Sequence, residues 1–108
     1  MHELSRTLFD CHLAGFAYWD GVEAFDELKV GTPLTLVVEP DNSFDPHAVA
    51  VYYKDHKIGY IPSTRSSWLA PYLQYGHTDL FEVFVNRISV EKSPEGQIGI
   101  VVKIQDAR

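Results

Sequence analysis

The sequence predicts a small all-β to α+β domain, a barrel or strongly bent sheet of about six short strands under one covering helix. Three observations predict it. Short β-branched, apolar runs recur between turns rich in Gly, Pro, Asn and Asp. Only one segment has both helical spacing and helix end signals. At 108 residues, of which 45% are hydrophobic and 22% charged, the chain has room for a single core and is expected to be one domain spanning 1–108.

Residues 7–16 form the first expected strand, with Leu8, His12 and Phe16 only loosely on one face. The Asp20-Gly21 pair then favours a tight turn. Val22, Phe25 and Leu28 are helically spaced, but Gly21 and Gly31 bracket them closely, so this stretch is read as a loop with one helical turn at most. Residues 34–39 and 48–53 are apolar, β-branched strands separated by a polar turn, and residues 57–61 form a further strand after the Asp55-His56 connection.

The helix is expected over 66–75, with Trp68, Leu69, Tyr72 and Leu73 on its apolar face. Ser66 or Ser67 would cap its start, Pro71 would be absorbed in the first turn, and Gly76 would end it in a left-handed cap. Residues 80–90 alternate well, with the register slipping near Asn86. Residues 93–96 make a turn before the closing strand, 98–104, in which Gly99 marks a bulge or a close backbone approach.

The core expected from these elements comprises Leu34, Leu36, Val38, Val49, Val51, Ile58, Ile61, Leu69, Leu73, Val83, Val85 and Val102. No apolar run approaches the ~18 residues of a membrane span, and no secretory signal is expected at the N-terminus. Cys11 is the only cysteine, which suits a reducing compartment and a cytoplasmic location, and its position in a strand-like run reads as a small buried hydrophobe.

The order of motifs along the chain resembles the HIRAN domain. The elements that match are a Gly-aromatic segment from Gly15 to Gly21 and a Leu-x-Leu strand at Leu34 and Leu36. Glu-Pro-x-Asn-x-aromatic-Asp follows from Glu39 to Asp45, then Ala-Val-x-Val from Ala48 to Val51, and Gly-Tyr-Ile-Pro from Gly59 to Pro62. The resemblance covers roughly residues 13–90. It implies an OB-like β-barrel with a helix packed at one end, and capture of single-stranded DNA at its 3′ end, in a setting of DNA repair.

The resemblance also implies site residues. The aromatic-Asp pair Phe44 and Asp45 would approach the terminal nucleotide, with Asn42 in the same turn. A carboxylate accepts a hydrogen bond from a 3′ hydroxyl and repels a phosphate, so Asp45 would tell a free end from a continuing strand. Tyr18 and Trp19 would offer a stacking face, since base–aromatic stacking is worth about 1–3 kcal/mol and tolerates any base. Tyr60 would face the same groove, with Ser63 and Arg65 just beyond it. Three positions depart from the family pattern: Ala17 stands where relatives carry arginine, Phe44 where tyrosine is frequent, and Ser63 where a basic residue is expected. Read without the resemblance, Asn42 and Asp45 are turn residues that bond nearby amides, and either aromatic of the Tyr18-Trp19 pair could be core.

The charge distribution limits how DNA could be held. Net charge is −6, and residues 1–45 carry most of the acidic side chains against only Arg6 and Lys29. A basic footprint is absent, so binding would rest on a few contacts and be modest, with a salt slope near −1.5 to −2 for two or three phosphates on a single strand. Lys54, Lys57 and Arg65 are the one local basic cluster, more simply read as a solvated face.

Catalytic patterns are weak. The five histidines are scattered, no phosphate-binding Gly-rich loop or nucleophile elbow occurs, and Asp45 and His47, on one strand face, have no accompanying nucleophile. The chain is therefore expected to be no enzyme, with neither cofactor nor metal. Its expected partner is single-stranded DNA. The alternative is a protein-interaction or accessory module whose groove takes a peptide or partner enzyme, which the acidic first half would suit.

Overall fold

The computed structural model describes residues 5–15, 25–89 and 98–105. Six strands, β1 (Ser5–His12), β2 (Pro33–Val38), β3 (Val49–Tyr53), β4 (His56–Tyr60), β5 (Phe81–Ile88) and β6 (Ile98–Gln105), form one antiparallel sheet. Their order is β1-β6-β5-β2-β3-β4. Helix α1 (Ser63–Gln74) covers the sheet, and short 3-10 turns occupy Phe25–Glu27 and His77–Leu80.

The sheet curls because its pairing is interrupted three times. Register shifts fall between Thr7 and Phe9 in β1, between Val51 and Tyr52 where β3 meets β4, and between Val85 and Arg87 in β5. Each extra residue bends its strand and raises the local twist. The curl brings the two edge strands together. Ala14, just beyond β1, pairs with Tyr60 of β4 through two 2.9 Å backbone hydrogen bonds. Gly59 permits that approach, because a Cβ there would lie 2.7 Å from the Ala14 carbonyl oxygen.

Eleven of the twelve expected core residues are buried, and Val38 packs half-buried against them. Phe9, Leu13, Ile98 and Ile100 complete the interior. Leu34 and Leu36 point inward from β2 while Thr35 and Val37 face out, the alternation a one-sided strand requires. β3 is covered on both faces, with Val49, Ala50 and Val51 wholly buried, which accounts for its unbroken apolar run.

Helix α1 corrects the sequence reading in three ways. It begins at Ser63, behind Pro62, whose carbonyl accepts from the Arg65 and Ser66 amides, so neither Ser66 nor Ser67 is the cap. Pro71 lies in the last turns and not the first. The buried face is Ser66, Leu69, Ala70 and Leu73, while Trp68 and Tyr72 stand at its flank, exposed yet packed edge-on against the Phe9 and Phe81 rings. The end is as expected, with Gly76 at φ +87° and its amide on the Leu73 carbonyl.

Burying Ser66 leaves its hydroxyl with no partner among the described residues. An unpaired buried hydroxyl costs about 1–3 kcal/mol, and alanine is the better helix former. Ser66→Ala should therefore raise unfolding stability by about 1 kcal/mol, measured in urea. A loss of stability would show that the hydroxyl is satisfied in solution.

Candidate nucleic-acid interface

The turn between β2 and β3 is built by its own side chains. Asn42 Oδ1 accepts from the amides of Phe44 (2.9 Å) and Asp45 (3.0 Å), and Asp45 Oδ1 accepts from the His47 amide (2.9 Å). Backbone bonds from the Asn42 amide to the Glu39 carbonyl, and from the Ala48 amide to the Asp45 carbonyl, tie the two ends. Asp45 and His47 thus lie in a turn, and not on one strand face as the sequence suggested.

Glu39 anchors this turn to β4. Its carboxylate accepts from Asn42 Nδ2 (3.1 Å) and from the Tyr60 hydroxyl (2.8 Å), and it pairs with Lys57 Nζ at 2.7 Å. Lys57 also donates to the Tyr60 hydroxyl at 3.1 Å. Burial alone would raise the Glu39 carboxyl, but hydrogen bonds from Lys57, Tyr60 and Asn42, with the Lys57 charge, hold it below its ordinary 4.5. Burial would lower Lys57, yet its bonds to Glu39 and Tyr60 hold the ammonium above its ordinary 10.5. Both shifts favour the ionised pair.

A pH dependence follows. A lowered carboxyl contributes stability above its unfolded value and loses it as pH falls through the folded one. The raised ammonium contributes throughout the range below 10.5 and fails only in stronger alkali. The stability difference between the unmutated protein and Glu39→Gln should be largest near neutrality, on the order of 1–3 kcal/mol, and shrink below pH 4.5. Urea titrations at stepped pH measure it, and a gap independent of pH would place the carboxylate outside the ionised network.

The anchored turn shapes an open pocket of about 510 Å³ lined by Asn42, Ser43, Phe44, Asp45, Ala48 and Tyr60. Phe44 is 97% exposed at its rim. Asp45 spends one carboxylate oxygen on the turn; its second has no partner among the described residues. The pocket therefore offers a bare aromatic face beside a hydrogen-bond acceptor. Four residues singled out in the sequence, Asn42, Phe44, Asp45 and Tyr60, meet here.

The others do not join them. Tyr18 and Trp19, with Ala17, lie outside the described residues. Ser63 and Arg65 are exposed on the first turn of α1, away from the pocket lining, and the Arg65 guanidinium sits 5.2 Å over the Phe9 ring. The three cations near one another in sequence form no basic patch: Lys57 pairs with Glu39, Lys54 lies 3.9 Å from Glu27, and Arg65 turns to Phe9. In the sequence Glu39 is a motif residue without a role of its own, and its partner Lys57 reads as surface. The signal was present in the acid before Pro40 and the cation three residues before Tyr60, but only pairing of β2, β3 and β4 joins them.

Cys11 is half-buried, and burial, with the Asp10 charge adding and Arg65 opposing, pushes its thiol up to about 11. It is protonated at neutral pH and a poor nucleophile. Among the described residues no group of three His, Cys, Asp or Glu side chains is placed to hold a metal, and no helix is long and apolar enough to cross a membrane.

Comparison with known proteins adds the family. The model of the HIRAN domain matches residues 7–105. A crystal structure of a Lactobacillus plantarum protein superposes with a TM-score of 0.78 at 21% identity, covering 94% of this chain and 96% of that one. The HIRAN domain of human HLTF superposes at 0.66 with 16% identity, covering 95% of this chain and 81% of that one. No curated protein matches the sequence.

Proposed function

Because the chain belongs to the HIRAN domain family, we propose that it is a non-catalytic module that binds single-stranded DNA, preferentially at a free 3′-hydroxyl end. The family's role is DNA binding, so nucleic-acid recognition is the frame within which the pocket is read. The observation that carries the finer reading is Phe44, almost wholly exposed on a turn fixed at both ends, beside the unspent oxygen of Asp45. An aromatic carried into water on a turn whose backbone is already bonded offers a stacking face, and the backbone that carries it has little ordering entropy left to lose on binding. The neighbouring carboxylate is an acceptor for a terminal hydroxyl and a barrier to a terminal phosphate.

Fluorescence anisotropy with matched single-stranded oligonucleotides, ending in a 3′ hydroxyl or a 3′ phosphate, tests this directly. The hydroxyl strand should bind at least several-fold more tightly, with a salt slope of about −1.5 to −2. Equal affinities would reject end recognition, and a slope near zero would remove phosphate contacts from the account.

The second reading is a peptide or partner enzyme in the same groove, in a cytoplasmic protein-interaction module. The net charge of −6 and the absence of a basic patch among the described cations favour it. It gains if neither oligonucleotide binds.

A further inference from the structure

A second pocket, of about 390 Å³, lies on another part of the sheet and is lined by Asp10, Cys11, His12, Asn86, Arg87 and Gly99. Strand register makes it. Gly99 of β6 is paired with His12 of β1 on one side and with Arg87 of β5 on the other. A residue without a side chain between two long ones leaves a notch that its neighbours overhang. The bulge between Val85 and Arg87 adds Asn86, whose Oδ1 would be 2.9 Å from a Cβ built on Gly99.

Arg87 differs from Arg65, which turns to Phe9, and from the paired lysines Lys54 and Lys57. It is exposed, its guanidinium touches His12 Nε2, and no described carboxylate pairs with it. A guanidinium carries five N–H donors in a fixed fork suited to phosphate, and His12 occupies only part of that capacity.

The β1 edge leads from the notch toward the first pocket. Along β1 and just beyond it, Asp10, His12 and Ala14 are exposed, while Phe9 and Leu13 are buried, so the exposed three share one outward strip. Ala14 is the residue that pairs with Tyr60 at the first pocket. At ~3.3 Å per residue, His12 stands only about 7 Å along the strand from it.

We propose that Arg87, with His12 and Asn86 beside it, is a phosphodiester subsite. It holds the backbone of a single-stranded nucleic acid whose end occupies the Phe44–Tyr60 pocket, and it supplies a cation outside the ion pairs that hold Lys54 and Lys57. This rests on the nucleic-acid reading above. Asp10 lines the same notch and its charge opposes a phosphate, so the subsite is weaker than its arginine alone would make it.

The test is anisotropy with a ten-nucleotide oligothymidylate ending in a 3′ hydroxyl, at several salt concentrations. Arg87→Ala should weaken binding roughly three- to tenfold and make the salt slope shallower by about 0.7, the share of one phosphate on a single strand. Arg87→Lys should keep most of that slope, and Asp10→Asn should tighten binding. Circular dichroism confirms the fold; should Arg87→Ala lose it, Arg87→Gln is read in the same way. If the unmutated protein binds and the arginine variants leave both affinity and slope unchanged, the subsite is overturned and the end pocket stands. If the unmutated protein does not bind at all, both readings fall together.

Discussion

Asp45→Ala should weaken binding of a 3′-hydroxyl strand by roughly tenfold to over a hundredfold while scarcely changing the weak binding of a 3′-phosphate strand. The size is that of one hydrogen bond to a charged acceptor, about 1.5–3 kcal/mol. Asp45 also has a structural duty, since its Oδ1 takes the His47 amide, and the alanine variant loses that bond too. Asp45→Asn separates the two roles. The amide oxygen can still accept from His47, while an NH2 donor replaces the free oxygen, so both the acceptor for a terminal hydroxyl and the charge that repels a phosphate are gone. The asparagine variant should therefore keep its melting temperature and bind the phosphate-ended strand better than the unmutated protein does. If both variants lose affinity equally for the two strands, Asp45 is a turn residue and nothing more.

Gly59→Ala should be strongly destabilising. The added methyl would meet the Ala14 carbonyl oxygen at 2.7 Å and Leu13 Cβ at 3.4 Å. A backbone oxygen cannot rotate away as a side chain can, so the segment after β1 must retreat from β4. That retreat breaks the two Ala14–Tyr60 hydrogen bonds that close the sheet. Overpacking with loss of those bonds suggests about 2–4 kcal/mol, or a melting temperature lower by on the order of 10–20 °C. A folded variant should also bind DNA less well, because Tyr60 lines the end pocket. A thermal melt within ~2 °C of the unmutated protein would show that the closure contributes little.

The comparison of sequence with structure divides along the distance between the interacting groups. Alternation in β2, the apolar run of β3, the slip at Asn86 and the irregularity at Gly99 are properties of a residue and its strand neighbours, and all are legible in the sequence; that β3 is covered on both faces is not. The Asn42 and Asp45 turn bonds span two or three residues and were legible as well. The helix start was missed because its cap residue, Pro62, offers no side-chain acceptor. Spacing puts Trp68 and Tyr72 on one apolar helix face with Leu69 and Leu73, yet the aromatic pair fits the same spacing as the leucine pair one residue on. Which stripe faces inward is settled by the sheet beneath.

Residue order alone therefore determined the strands, the polar turn, most of the core and the family resemblance, because local periodicity and turn chemistry act within a few positions. Tertiary structure decided where charge is spent. Lys57 and Glu39 are eighteen positions apart, and their pairing turns an apparent surface cation into the brace of the end pocket. Arg87 and His12 meet across seventy-five residues over a glycine that only strand register places between them. Coulomb and hydrogen-bond energies depend on separation in space, and a curled sheet closed at Ala14 and Tyr60 sets those separations without leaving a periodic trace in the sequence.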